Sequence, residues 1–168
     1  MTDQQFHNIG APQIGPGKAP FQPLDPGRYL VDKHPRNKFA FRTPPLRNVE
    51  VTGPYLHSGA YDDLRDVIEH HLRPRRSLRQ YDGSELRPAV RAELHDSPTV
   101  TRKVLRGLDW RLRLRSRIQR WRWHPWKIDD AEIDELVAFL ESLTSPSVGS
   151  LDAAITPDSV PSGLPVDE

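Results

Sequence analysis

Hydrophobic residues recur with helical spacing at two places in this chain. The first run occupies positions i, i+3, i+4 and i+7 of one helix face, with Leu64, Val67, Ile68 and His71. Asp62 or Asp63 precedes the run and can cap its helix. We therefore predict a helix from Leu64 to Leu72 that docks its apolar stripe against a core or a cofactor. The stripe ends in a histidine, so we expect the helix to carry His71 inward.

The second run predicts a longer helix, from about Asp130 to Leu143. Its stripe consists of Ile133, Leu136, Val137, Leu140 and Thr144. Asp129 and Glu132 have the spacing of a capping box. We expect this helix to close the domain by packing on the earlier ones. Two shorter helices are predicted from Ser84 to Leu94 and from Ser97 to Leu108, the second with Pro98 at its first position.

Between these patterns, residues 41–59 predict a shaped loop. Pro44, Pro45 and Pro54 fix the backbone φ angle and remove hydrogen-bond donors, while Gly53 and Gly59 permit turns. A loop with so little conformational freedom is typical of the lining of a site.

Composition adds that the core is small. Hydrophobic residues make up 36% of the 168 positions, 17 residues are proline, and the mean hydropathy is −0.67. Residues 1–40 predict loop, and residues 146–168 predict an extended or disordered tail. We expect a protein with a small core and long irregular segments.

The charge is unevenly distributed, although the formal net charge is only +1. Residues 73–127 hold 16 of the 24 basic and 5 of the 23 acidic residues, together with all four tryptophans. Arginine interleaved with tryptophan can suit nucleic acid through phosphate neutralisation and base stacking. We favour instead arginine stems that cover apolar surface, or an Arg-rich face that meets an acidic partner.

Two consecutive motifs of the loop resemble a known family. Residues 41–49 read Phe-Arg-Thr-Pro-Pro-Leu-Arg-Asn-Val, and residues 52–59 read Thr-Gly-Pro-Tyr-Leu-His-Ser-Gly. Followed by an acidic-capped helix, they resemble the C-terminal haem domain of bacterial di-haem cytochrome c peroxidases, together with the related di-haem enzymes that oxidise protein tryptophan. Further blocks of likeness lie at residues 6–10, 25–28 and 136–144, so the resemblance spans most of residues 6 to 144.

The resemblance implies an axial haem ligand. In that family, the helix after the loop supplies a ligand to the iron of the second haem, fourteen residues beyond the loop histidine. Counting from His57 leads to His71, where the peroxidases have methionine and the tryptophan-oxidising enzymes have tyrosine. His70, about 100° around the helix, is the alternative ligand.

The resemblance implies further binding residues in the loop. Arg47, Asn48 and His57 are candidates to contact the haem, with Arg47 and Asn48 either meeting its propionates or bracing the loop. The backbone carbonyls of Thr52 and Pro54 would face a calcium ion between two haem domains.

Haem c itself needs a Cys-x-x-Cys-His motif, and the chain has no cysteine. In the family, this motif lies shortly before the block at residues 6–10, so we expect the chain to be a fragment that begins just after its haem anchor. The relatives are exported to the periplasm, whereas this chain has no signal peptide and no apolar run long enough to span a membrane.

The sequence therefore predicts a mostly α, cytochrome c-like domain over residues 1–145 with long irregular loops, incomplete at its N-terminus. In an intact oxidoreductase, it would transfer electrons between a redox donor protein and an N-terminal haem domain that reduces peroxide. We expect no peroxidase activity from this chain alone, and no nucleic acid partner. The alternative is a haem-free interaction domain that uses its basic Trp/Arg segment to bind an acidic partner.

Overall fold

Helices supply most of the regular structure in the computed structural model, which describes residues 2–108 and 128–148. The α-helices in these ranges are α1 Tyr29–Asp32, α2 Leu64–Leu72, α3 Pro74–Gln80, α4 Pro88–Arg91, α5 Pro98–Arg106 and α6 Asp130–Glu141. Short 3₁₀ helices cover Pro35–Asn37 and Val49–Val51. The prediction of a mostly α protein is confirmed at this level. No helix of the described residues is long and apolar enough to cross a bilayer.

A two-stranded antiparallel sheet joins the N-terminus to the central loop. Strand β1, Phe6–His7, pairs with strand β2, Phe41–Arg42, with Phe6 opposite Arg42. Just after β1, Asn8 is buried, and its side-chain amide donates to the carbonyls of Lys38 and Val104 at 3.0 and 3.1 Å. The N-terminal segment is thereby tied to both the loop and α5.

The core of the described residues lies where α3 and α5 meet the loop before β2. It consists of Leu24, Phe39, Leu78, Val104, Leu105 and Leu108. Burial of each such side chain stabilises the fold by about 1.5–3 kcal/mol.

Capping residues locate the helix starts well. Helix α2 has the predicted bounds, and the Asp63 side chain accepts from the Arg65 backbone N–H. Ser97 caps α5, and Asp129 forms the predicted capping box with Glu132 on α6. These ends follow from local sequence because a cap acts within one turn.

Weakly patterned stretches were predicted less well. The helix predicted from Ser84 to Leu94 is wrong in extent, since only Pro88–Arg91 is helical. Helix α3 was missed because its sequence is mostly polar, with Pro74 and Leu78 as its buried residues. The tryptophans and the arginines of residues 109–127 lie outside the described residues, as does the predicted tail beyond residue 148.

Candidate functional site

Helix α2 places two neighbouring histidines in different environments. Its first residue, Leu64, is buried, and α2 packs against α3 and α6. Toward its C-terminal end, His70 is buried whereas His71 is exposed. The chemistry available to each ring follows from its hydrogen bonds.

The imidazole of His70 is fully enclosed, and both of its nitrogens are occupied. Nε2 lies 3.0 Å from the carbonyl oxygen of Ile9, which can only accept, so Nε2 carries the proton. Nδ1 therefore accepts, with the Tyr61 hydroxyl at 3.1 Å and the Ser77 hydroxyl at 2.9 Å. The two hydroxyls are themselves 2.7 Å apart. The network leaves no lone pair of His70 for a metal ion.

Burial fixes the charge state of this network. Desolvation lowers the pKa of His70 to about 4, helped by the neighbouring charge of His71 and opposed by the hydrogen bond to Ile9. Burial likewise raises the pKa of the Tyr61 phenol. At neutral pH the network consists of a neutral imidazole and a neutral phenol.

His71 presents the opposite arrangement. Its Nδ1 lies 2.7 Å from the carbonyl oxygen of Val67, so Nδ1 donates and Nε2 keeps its lone pair. No described residue bonds Nε2 of His71. The expectation that α2 carries His71 inward is wrong, because described residues bury the N-terminal part of the stripe and leave its C-terminal end uncovered.

The loop histidine, His57, lines a cleft that includes neither histidine of α2. Its Nε2 lies 3.0 Å from Oδ2 of Asp25, and its ring stacks on Phe41 with centroids 3.8 Å apart. Asp25 is fixed in turn, because its Oδ1 accepts from the Gly27 backbone N–H at 2.8 Å. The cleft holds about 200 Å³, and Lys18 contributes to its wall. His57 and His71 thus occupy separate environments.

Of the other predicted loop residues, one holds the loop in place through hydrogen bonds and the rest are exposed. Asn48 braces the loop: its Oδ1 accepts from the Ser145 N–H at 2.9 Å and its backbone N–H donates to Leu143 at 3.2 Å. Arg47 is exposed and forms no ion pair with a described residue. Thr52 and Pro54 are exposed.

Within residues 2–108 and 128–148, no group of three or more His, Cys, Asp or Glu side chains could hold a metal ion. The calcium site predicted on the backbone carbonyls of Thr52 and Pro54 needs no such side chains, and it stays a prediction. The Tyr61–His70–Ser77 network was missed because its members come from three elements. In the sequence, the network shows only as His70, a polar residue beside the apolar stripe of α2.

Comparison with known proteins gives a consistent set of relatives. Methylamine utilization protein MauG of Paracoccus denitrificans is 30% identical over 153 residues, covering 86% of this chain and 34% of that protein. MauG of Methylorubrum extorquens is 27% identical over 143 residues, covering 85% and 28%. Cytochrome c551 peroxidase of Pseudomonas aeruginosa is 46% identical over 44 residues, covering 26% and 13%. The chain thus spans about a third or less of the length of these curated relatives. No family model and no solved structure matches it.

Proposed function

The chain belongs to the di-haem cytochrome c peroxidase family, and from this premise we propose that it is an electron-transfer haem domain in which His71 would bind the iron. The observation that carries the proposal is the exposed imidazole of His71, oriented by its Nδ1 hydrogen bond to Val67. Its competitor His70 has both nitrogens engaged.

The hydrogen bond of His71 has the form that supports metal ligation. Metal-ligating histidines usually donate their second ring N–H to a carbonyl or carboxylate, which fixes the tautomer and the ring orientation. In α2, the Val67 carbonyl does this one helical turn before His71. The lone pair on Nε2 is then available without rearrangement of the helix.

The surroundings of α2 also fit a large apolar cofactor. Leu72 follows His71 directly and is exposed, and α2 packs on α6, which contacts the 3₁₀ helix Val49–Val51. The 3₁₀ helix exposes Val51, and α6 exposes Leu136 and Phe139. Exposed side chains on neighbouring elements offer apolar surface that a haem would cover.

When bound, the haem would supply one-electron redox chemistry, while this chain would hold and orient it. Helix α2 would provide the ligand, and Arg47 would pair with a propionate through its planar fork of donors. Asn48 fixes the loop against the end of α6. The chain has no cysteine, so the thioether bonds of a haem c would not come from its own side chains.

We place this domain in a larger protein. It would have a cytochrome c-like fold and a calcium ion at Thr52 and Pro54, and would act in the periplasm. A second haem domain would reduce peroxide, and a redox donor protein would deliver electrons. By itself, the chain would have no peroxidase activity.

A His71-ligated haem would also be harder to reduce than one ligated by methionine, because methionine ligation raises the potential. A redox titration of the complete holoprotein that gives a potential in the methionine-ligated range contradicts this ligation.

Hemin binding to the full 168-residue chain tests the proposal. Hemin titrated into wild type should give a red-shifted Soret band typical of a histidine-ligated haem. His71→Gln should weaken binding by about tenfold or more, since it removes the only nitrogen with a free lone pair on α2. His34→Gln is the matched control, because His34 is exposed and only caps the 3₁₀ helix Pro35–Asn37.

Equal hemin affinity and equal spectra in wild type and His71→Gln would contradict ligation by His71. A cooperatively folded chain that binds no hemin would instead favour the haem-free interaction domain. Circular dichroism of each variant separates loss of the ligand from loss of the fold.

A further inference from the structure

Helices α3 and α5 carry four arginines around one open groove. Arg75 and Arg79 lie one helical turn apart on α3, and Arg102 and Arg106 lie one turn apart on α5. Together they line a groove of about 600 Å³ whose floor includes Leu105. The core holds both helices in place through Leu78 and Leu105. The two arginine pairs are therefore mounted on rigid elements.

The described residues that line this groove carry more positive than negative charge. Asp96 is the one acidic side chain among its described lining residues. The side chains of Arg75, Arg79 and Arg102 form no ion pair or hydrogen bond with a described residue. Like charges one turn apart on a helix destabilise it by a few tenths of a kcal/mol per pair. An anionic partner would remove this repulsion.

We propose that the groove binds an acidic polypeptide segment, with carboxylates one helical turn apart on the partner facing the arginine pairs. A guanidinium offers a planar fork of donors that suits a carboxylate bidentately. Pairs at i and i+4 on α3 and α5 match Asp or Glu at the same spacing on a partner helix. The other described lining residues on α5, Pro98, Thr101 and Leu105, are uncharged.

Two features favour a polypeptide over a nucleic acid. None of the described lining residues is aromatic, so these residues offer no platform on which bases can stack. Asp96 interrupts the basic surface and would repel a continuous phosphate backbone. A polypeptide can avoid Asp96 by placing a neutral or basic residue opposite it.

The test uses the full chain and a fluorescein-labelled helical peptide with glutamate at every fourth position. Fluorescence anisotropy should show binding that weakens with salt. Arg79→Glu combined with Arg102→Glu should weaken it by about tenfold or more. The matched control combines Arg76→Glu with Lys103→Glu. Both residues lie on the same two helices but outside the groove. The control's change in net charge is the same, and its affinity should stay within about twofold of wild type.

Several outcomes would overturn the proposal. Equal weakening by both double variants would mean attraction to net charge rather than to the groove. Retained binding of a peptide with every glutamate replaced by glutamine would mean that the carboxylates do not matter. An oligonucleotide of the same charge that binds more tightly and displaces the peptide would assign the groove to nucleic acid. None of these measurements requires haem, so they stand apart from the hemin titration.

Discussion

Lowering the pH should destabilise this protein through His70, before most of its carboxylates titrate. The unfolded chain has an ordinary histidine pKa of 6.5, whereas burial lowers the pKa of folded His70 to about 4. Between these values the unfolded state binds a proton that the native state does not. By linkage, the free energy of unfolding must then fall as the pH falls.

The gap between the two pKa values sets the size of the effect. In full, it corresponds to about 3 kcal/mol. Above pH 6.5 both states are neutral at this residue and the contribution is complete. At pH 4.5 about 2.5 kcal/mol should already be lost, and below pH 4 the loss levels off. For a domain with about 5–15 kcal/mol of total stability, this is a large fraction.

Urea denaturation of wild type and His70→Gln between pH 7.5 and 4.5 isolates the contribution. The absolute stability of the variant is expected to be lower because the bonds to Ile9, Tyr61 and Ser77 are lost. The informative quantity is the loss of stability between pH 7.5 and 4.5, which should be about 2.5 kcal/mol larger in wild type. The exposed carboxyls of Asp3 and Asp32 have lowered pKa values in both proteins, so their contribution cancels.

Parallel pH dependences for wild type and His70→Gln would refute the reasoning. If the variant does not fold, an NMR titration of wild type replaces it. The ring protons of His70 should then keep their neutral chemical shifts down to about pH 5. A titration midpoint near 6.5 would mean that the ring reaches solvent and that the network opens.

Three further substitutions test the local physics of the fold. Tyr61→Phe removes one hydroxyl from the network of His70 and keeps the ring, so urea denaturation should show a loss of about 1 kcal/mol, and an unchanged midpoint would contradict the hydrogen bond. Asp129→Ala removes the capping box of α6 and should lower stability by about 1 kcal/mol in the same assay, whereas Asp129→Asn should retain most of it. Gly27→Ala places a methyl group 2.5 Å from the carbonyl oxygen of Ala40 at a φ of +60°, so it should lower the midpoint by an amount that corresponds to about 1–3 kcal/mol.

The elements that sequence predicts well are those whose determinants lie within one turn. Helix α2 and its Asp63 cap, and α6 and its capping box, appear with nearly the predicted bounds. Helix α3 carries no comparable signal, because most of its residues are polar or charged. Its existence depends on Leu78 meeting the core, which is a tertiary contact.

The environment of the candidate site was harder to predict for the same reason. Helical spacing places His71 in line with Leu64, and this is correct as geometry. Whether each part of this stripe is buried depends on which elements pack against it. Hydrophobic periodicity does not carry that information. Likewise the four-arginine groove needs α3 and α5 to be neighbours, although the excess of arginine was already visible in residues 73–127.

The two histidines of α2 cannot exchange roles, and this follows from the geometry of the helix. Successive residues lie about 100° apart, so a rotation that turned His71 toward the core would turn His70 away from it. Such a rotation would break the bond from His70 to Ile9, the contacts with Tyr61 and Ser77, and the packing of Leu64. Each buried group left unpaired would cost about 1–3 kcal/mol. The buried ring therefore sets the orientation of the helix, and it keeps the exposed ring available to whatever binds there.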